Sequence, residues 1–312
     1  MKNLDVSWDG IHDATGYLFS LAKSLSCTVK NSPWHAYAED IVATSGFAFR
    51  MWVSADLCPS ATSIWGFDGQ KPWVESGGLS CEYAGRYWGQ DHIEKEKRLE
   101  AIGNIKRSVD RGVPAISWDI GIPEWGLVTG YDNETETLAT LSAAPPFERG
   151  TLPYEKLGMR ELPLLSVLTI TGENGKPQDE IFRDTCKMAV VHLDGGEWCD
   201  NAKGLEAYPA LIRHFNELYN DEAAWNREYL LGNYGALKYY AWRYFEKNGH
   251  ANHGNFAKIS SDLAALYKEI FDAWVQAFKW NESGSATEKE ISDKLTAAWD
   301  CERRAADIMR MV

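Results

Sequence analysis

The sequence predicts an α+β protein in which an antiparallel sheet is followed by an all-α helical domain. Three features of its 312 residues carry this prediction. Short β-rich runs bounded by Gly, Pro, Asn and Asp lie between residues 113 and 170, amphipathic helical segments precede them, and a helical hydrophobic period dominates after Glu180. We therefore predict an α+β domain over residues 1–178 and a helical bundle domain over residues 179–312.

Two helices are predicted ahead of the strands. Apolar residues recur every three or four positions in residues 10–26, with Asp9 and Asp13 near the start. The positive end of a helix dipole favours such acids, so Asp13 is expected in the first turn. Residues 91–111 form the second amphipathic pattern, which ends at the Gly and Pro that follow it.

The strand signals follow one another closely. They cover residues 113–120, 124–132, 137–143 and 162–170. Because only short turn-forming segments separate the first three, we predict that these form an antiparallel meander.

The second domain is predicted to be a bundle of four or five helices. Apolar stripes at helical spacing occupy residues 205–219, 259–278 and 291–309, and an aromatic helical segment covers residues 225–247. A loop is predicted over residues 281–290, where Thr287 and Glu290 have the spacing of a capping box.

Charge and hydropathy exclude several kinds of partner. The chain has 32 basic and 45 acidic side chains, and its net charge of −13 repels nucleic acid phosphates and anionic lipid surfaces. We therefore expect neither nucleic acid nor a membrane as a partner. The polar N-terminus does not resemble a signal peptide, and no apolar run approaches the roughly 20 residues needed to span a bilayer, so a cytoplasmic location is expected.

The cysteines and histidines do not suggest a metal centre. The six cysteines are far apart and include no CxxC pair, so we expect free thiols. His250 and His253 are close in sequence, but the surrounding Gly and Asn residues favour a loop over a metal-binding helix. We predict no metal and no cofactor.

Three motifs resemble a known family. SGFAFR (residues 45–50) is followed by GVPAISWD (residues 112–119) and EWGLVTGYD (residues 124–132), and residues 229–247 look like the helical segment that comes next. This order is similar to the BtrH-like family of butirosin biosynthesis, a relative of papain-like and bacteriocin-processing cysteine peptidases. The resemblance implies a papain-like core and, in active relatives, acyl transfer or hydrolysis by a thiolate.

The implied chemistry needs a Cys at the start of a buried helix, a His on a neighbouring strand, and an Asn or Asp that orients the His. The first predicted helix opens without a cysteine, and Cys27 falls at its other end, where the helix dipole raises a thiol pKa. Glu124 stands at the position of the His, and Ser142 at about that of the orienting residue. Since residues 93–191 contain no histidine, the standard thiol mechanism is absent.

Carboxylates are the predicted replacement. If the resemblance holds, Asp13 and Glu124 face each other across the former cleft, with Trp125, Asp119 and Tyr131 nearby. Such a pair suits an amine-bearing ligand, or a proton shared between an acid and a base. The alternative interpretation is that Asp13 has no role beyond a favourable interaction with the helix dipole, and that Glu124 is exposed to solvent after the Gly-Ile-Pro turn.

Arg50, in the SGFAFR motif, also has two interpretations. Its guanidinium could bind an anionic group of a ligand, or it could pair with a structural acid.

These residues leave three functions open. The expected one is binding of a small, cationic or amine-containing molecule in the former catalytic cleft of a non-catalytic or divergent protein. The first alternative is an amide hydrolase or acyltransferase that uses Asp13 and Glu124 in place of Cys and His. The second is an interaction module in which the aromatic helical tail forms a homodimer.

Overall fold

The strand runs predicted after residue 112 form part of an antiparallel sheet. The computed structural model describes residues 2–63, 65–196, 199–250 and 256–312. Its strands are β1 (Lys2–Asn3), β2 (Trp52–Val53), β3 (Leu79–Arg86), β4 (Ala115–Ser117), β5 (Gly126–Asp132), β6 (Thr137–Ser142), β7 (Arg149–Pro153), β8 (Leu165–Glu173) and β9 (Ala202–Lys203). Its α-helices are α1 (Ser20–Lys30), α2 (Ile41–Thr44), α3 (Gln70–Ser76), α4 (Glu94–Asp110), α5 (Gln178–Leu193), α6 (Ala207–Glu217), α7 (Ala224–His250), α8 (Ala257–Ser283) and α9 (Glu288–Met309).

The chain divides into two compact units. The first unit contains Met1–Ile11, Phe19–Ile41 and Phe67–Lys176, and the second contains His12–Leu18, Val42–Gly66 and Pro177–Val312. The last junction, between Lys176 and Pro177, lies beside the predicted domain boundary. Two segments of the N-terminal half nevertheless belong to the second unit.

The sheet of the first unit has the strand order β3-β8-β4-β5-β6-β7, and β1 pairs with β5 beyond the end of β4. β4, β5 and β6 are antiparallel neighbours, which confirms the predicted meander. Ser117 pairs with Gly126, and Gly126 pairs with Ser142. These three residues therefore lie side by side at one end of the sheet.

The sequence prediction missed β3 and β7. β7 is an edge strand with mostly exposed side chains, so it lacks the apolar alternation of a half-buried strand. In β3 the alternation of buried and half-buried residues breaks at Glu82 and Tyr83, which are both half-buried, so the regular pattern is short. Both strands are defined by their pairing with neighbours rather than by a local pattern.

The core of the first unit lies between α4 and the sheet. Ala101, Ile105 and Val109 on α4 are fully buried in one cluster with Val128 on β5 and Val167 on β8. Burying a Val, Ile or Leu side chain stabilises a fold by about 1.5–3 kcal/mol. This confirms the predicted amphipathic helix and fixes its apolar face against the strands.

The helix predicted over residues 10–26 is placed wrongly, since α1 begins ten residues later. Gly16 has a positive φ of 78°, which a helix does not allow. The hydroxyl of Thr15 donates to the carbonyl of Gly232 at 2.8 Å, so this segment packs on α7 instead. Asp13 therefore lies in a turn before α1 and not in the first turn of a helix.

The second unit is mainly helical, as predicted, and contains α5 to α9 and the short β2–β9 pair together with its N-terminal segments. The connection between α8 and α9 is shorter than the predicted loop. The Thr287 hydroxyl accepts from the N–H of Glu290 at 3.3 Å, and the Glu290 carboxylate accepts from the N–H of Thr287 at 2.8 Å. The predicted capping box is therefore confirmed.

One buried carboxylate connects four helices of the second unit. Glu302 on α9 accepts from Lys238 on α7 at 2.7 Å, from Tyr208 on α6 at 2.6 Å and from Tyr267 on α8 at 3.2 Å. The indole of Trp274 donates to the Tyr208 hydroxyl at 2.8 Å. Burial, followed by the charge of Glu302, raises the pKa of both tyrosines well above its usual value, so both phenols remain donors.

We expect Lys238→Met to lower the free energy of unfolding by about 3–5 kcal/mol, because it leaves the Glu302 carboxylate buried without a cation. Urea unfolding followed by circular dichroism measures the change. Lys268→Met is the matched control: its pair with Asp272 is exposed, so its loss should stay within about 1 kcal/mol. Equal decreases in the free energy of unfolding in the two variants would contradict the larger contribution expected of the buried Lys238–Glu302 pair.

Candidate functional site

The candidate site is built on the first residue of α1. Ser20 follows Phe19, whose extended backbone (φ −46°, ψ 133°) forms the N-cap without a side-chain hydrogen bond. The backbone N–H groups of the first turn of a helix have no partner within that helix, and the helix dipole makes this end partially positive. Ser20 thus presents a hydroxyl beside an electropositive helix start.

Glu124 lies next to this hydroxyl. It precedes β5, and the Ser20 hydroxyl donates to its Oε2. The backbone N–H of Trp125 donates to the Ser20 oxygen at 3.1 Å. Ser20 and Glu124 are both half-buried. One hydroxyl therefore joins the start of α1 to the entry of β5, and we call Ser20 and Glu124 the serine–glutamate pair.

Burial sets the acidity of Glu124. It raises the pKa of the Glu124 carboxyl above the ordinary 4.5, because a charged carboxylate loses solvation there. Hydrogen bonds from the Ser20 hydroxyl and the Trp125 backbone act in the opposite direction but only partly offset burial. Glu124 thus holds its proton more tightly than an exposed glutamate does.

Trp125 is part of the core beneath the pair. Its ring centroid lies 4.9 Å from that of Phe67 and 5.4 Å from that of Trp118, and all three side chains are buried. These edge-to-face contacts fix the first residues of β5.

Asp119 lies on the loop between β4 and β5 with a left-handed backbone, φ 60°. Its side chain is buried, and Nη1 of Arg160 lies 3.2 Å from its Oδ1. Burial raises the pKa of Asp119, the charge of Arg160 opposes that shift, and the charge of Glu161 adds to it.

Three further predicted site residues are not members of the serine–glutamate pair. Asp13 is exposed and belongs to the second unit, so the serine–glutamate pair is formed without it. Tyr131 lies at the other end of β5, roughly 20 Å along the strand from Glu124 at about 3.3 Å per residue, and its hydroxyl contacts Asp110 at 2.9 Å. Arg50 is buried in the second unit.

The environment of Arg50 is aromatic. Its guanidinium carbon lies 3.5 Å from the ring centroid of Trp52 and 4.4 Å from that of Trp65, and Nη1 donates to the carbonyl of Thr62 at 3.2 Å. Such cation–π contacts stabilise a buried arginine.

A lysine lies one turn beyond Ser20. Lys23 is buried, and its Nζ lies 4.0 Å from the ring centroid of Phe147 and 5.5 Å from that of Trp8. The Trp8 indole donates to the carbonyl of Ser142 at 2.8 Å. The Ser142 hydroxyl accepts from the N–H of Ala144 at 3.2 Å and thus stabilises the turn after β6.

Ser20 was not among the predicted site residues. Because the helix was predicted to begin near residue 10, residue 20 fell in its interior. A signal for the true start was present: a serine stands directly before Leu21, Ala22 and Leu25, which begin the apolar period of α1.

The buried thiols are unsuited to nucleophilic chemistry. Burial raises the pKa of Cys27, Cys81 and Cys186 to about 12 each. Cys27 lies in the last turn of α1, as predicted, but burial rather than the helix dipole is the main cause of its raised pKa.

Neither a metal cluster nor a membrane span is found in the described parts of the chain. Across residues 2–63, 65–196, 199–250 and 256–312 no three His, Cys, Asp or Glu side chains are grouped as metal ligands. His250 is the last residue of α7, and His253 lies outside the described residues. Within those same ranges no helix is long and apolar enough to cross a membrane.

Comparison with known proteins found no match to a family model and no match to a curated protein.

Ser20→Ala should raise the pKa of Glu124 further, because it removes the hydrogen bond that favours the carboxylate. A ¹³C NMR titration of the glutamate side-chain carboxyls measures this. Ser26→Ala is the matched control, since the Ser26 hydroxyl on the same helix donates to the carbonyl of Ala38 at 2.7 Å. A Glu124 pKa that falls or stays constant in Ser20→Ala would disprove the hydrogen bond.

Proposed function

We propose that the first unit is a papain-like core that has lost its Cys and His, and that it binds a small amine-bearing molecule at the serine–glutamate pair. The observation that carries this proposal is the hydrogen bond from the Ser20 hydroxyl to the half-buried Glu124 carboxylate. In papain-like enzymes a nucleophile at a helix start meets a base on a neighbouring strand. Ser20 is the first residue of α1 and Glu124 lies just before β5, which supports the comparison.

The chemistry of the pair favours an amine over an anion. Glu124 in its ionised form is an acceptor only, and a protonated amine can donate to it in a charge-assisted hydrogen bond. The Ser20 oxygen offers a further acceptor to the same group. Partial burial strengthens such a bond, because the local dielectric is lower than that of water. The acidic net charge of the chain also attracts cations to it.

Glu124→Gln should weaken binding of putrescine or spermidine about tenfold or more, because a hydrogen bond to a charged group contributes about 1.5–3 kcal/mol. Isothermal titration calorimetry measures the affinity. Glu134→Gln is the matched control, since it removes the same charge from an exposed turn after β5. Wild-type affinity in Glu124→Gln would place the binding site elsewhere.

The same binding should depend on pH in a defined direction. An amine needs the ionised carboxylate, and the pKa of Glu124 lies above the ordinary 4.5. Affinity should therefore be full at pH values well above that raised pKa and decline as the pH falls through it. In Glu124→Gln this decline should be absent.

A second function is an acyl transfer or amide hydrolysis with Ser20 as the nucleophile. It is favoured by the position of Ser20 at the first residue of an 11-residue helix, where free N–H groups can stabilise an oxyanion. The Ser20 oxygen would bond to the substrate carbonyl carbon while its proton passes to Glu124. The carbon–nitrogen bond then breaks as the leaving amine takes that proton, and water or an acceptor releases the acyl group by the reverse steps.

A fluorophosphonate probe tests this second function. Mass spectrometry should find one adduct, on Ser20, and labelling should be lost in Ser20→Ala and slowed in Glu124→Gln. The control Ser26→Ala should label like the wild type. If the wild type resists a probe that labels a known serine hydrolase in parallel, the enzyme is rejected and the binding function stands.

A further inference from the structure

Glu124 lies in a loop that contains two residues with a left-handed backbone. Residues 118–125 connect β4 to β5, and within them Asp119 and Gly121 both have a left-handed backbone, with φ of 60° and 82°. The N–H of Ile120 donates to the carbonyl of Glu124 at 3.1 Å and closes the loop. A left-handed aspartate is strained by about 1 kcal/mol or more, so other contacts must hold it.

Arg160 supplies those contacts. Its Nη1 donates to the carbonyl of Asp119 at 2.8 Å, and its Nη2 donates to the carbonyl of Gly121 at 3.0 Å. One guanidinium therefore donates hydrogen bonds to the backbone carbonyls of both left-handed residues. The planar fork of an arginine can reach two carbonyls at fixed spacing, whereas the single nitrogen of a lysine cannot match that geometry.

The same guanidinium also balances a buried charge. Its Nη1 lies 3.2 Å from Oδ1 of Asp119, whose side chain is 3% exposed. Within the described residues no N–H or O–H group makes a hydrogen bond to either carboxylate oxygen of Asp119. Arg160 thus has two separable roles, one on the backbone of the loop and one on the Asp119 charge.

We propose that Arg160 is a positioning residue of the site: its hydrogen bonds to the carbonyls of Asp119 and Gly121 hold the Glu124 carboxylate against the Ser20 hydroxyl. This inference deepens the proposed function, since it concerns the same pair, but its test needs no ligand or substrate. Arg160 touches neither Ser20 nor Glu124 in this arrangement and acts only through the loop.

Arg160→Met should remove the hydrogen bonds that hold the loop of residues 118–125, and this should expose Glu124 to solvent. Because burial is what raises the pKa of Glu124, that pKa should move down toward 4.5 in a ¹³C carboxyl titration. Hydrogen exchange of the Ile120 amide should also accelerate about tenfold, as expected when a local hydrogen bond is lost. Arg107→Met, which removes an exposed pair with Glu82 on the same unit, should change neither quantity.

Asp119→Asn combined with Arg160→Met separates the two roles. If Arg160 only neutralises Asp119, the double variant restores the wild-type pKa of Glu124 and overturns the proposal. If Arg160 positions the loop, the double variant behaves like Arg160→Met.

Arg160→Lys tests the same idea in a chain that keeps the positive charge, in case Arg160→Met does not fold. It should also lower the pKa of Glu124, and a wild-type pKa there would overturn the proposal. A lowered pKa in a protein that binds no amine and accepts no fluorophosphonate would support the positioning role and reject the proposed function alone.

Discussion

The geometry of the site depends on one shared hydroxyl. The Ser20 hydroxyl donates to Glu124 and accepts from the backbone N–H of Trp125, so its donor and one of its two acceptor positions connect two elements. These contacts connect the start of α1 to the entry of β5, while the meander fixes β5 between β4 and β6. The position of α1 on the sheet and the position of the carboxylate are consequently set by the same atoms.

Two acids of this protein are removed from water in different ways. Glu302 is fully buried, but an ammonium and two phenols satisfy its carboxylate. Such a group is structural, because its charge is compensated from every side. Glu124 is only half-buried and is compensated by a hydroxyl and a backbone amide. An incompletely compensated carboxylate is the kind of group that can still bind or react, which is why our proposal concerns Glu124 and not Glu302.

Local patterns in the sequence predicted much of the fold. The meander, the helix that became α4, the helical second half and the capping box at Thr287 each follow from periodicity or spacing within a few residues. Glu124 was identified because the motif EWGLVTGYD (residues 124–132) resembles the strand that carries the His in papain-like enzymes. Its partner Ser20 was not, because residues 12–18 have a helical period but pack on α7, some 200 residues away, and only tertiary contacts decide between those states.

Long-range contacts also explain why the surroundings of the other predicted site residues could not be predicted from the sequence. Trp125 and Arg50 have side chains that suit a ligand, and nothing near them in sequence shows that aromatic rings from other segments enclose them. The role of Arg160 has no sequence signal at all. It depends on two left-handed residues that lie about 40 positions earlier in the chain, at Asp119 and Gly121.

The division of the chain between the two units has a consequence for biosynthesis. The second unit includes His12–Leu18, and the ring of His12 stacks on Tyr239 at 3.6 Å, while the hydroxyl of Tyr17 donates to Glu228 at 2.7 Å. On the ribosome these early residues emerge long before α7 exists. The nascent chain must therefore carry them until α7 has been synthesised, and the second unit cannot be completed before α7 has left the exit tunnel.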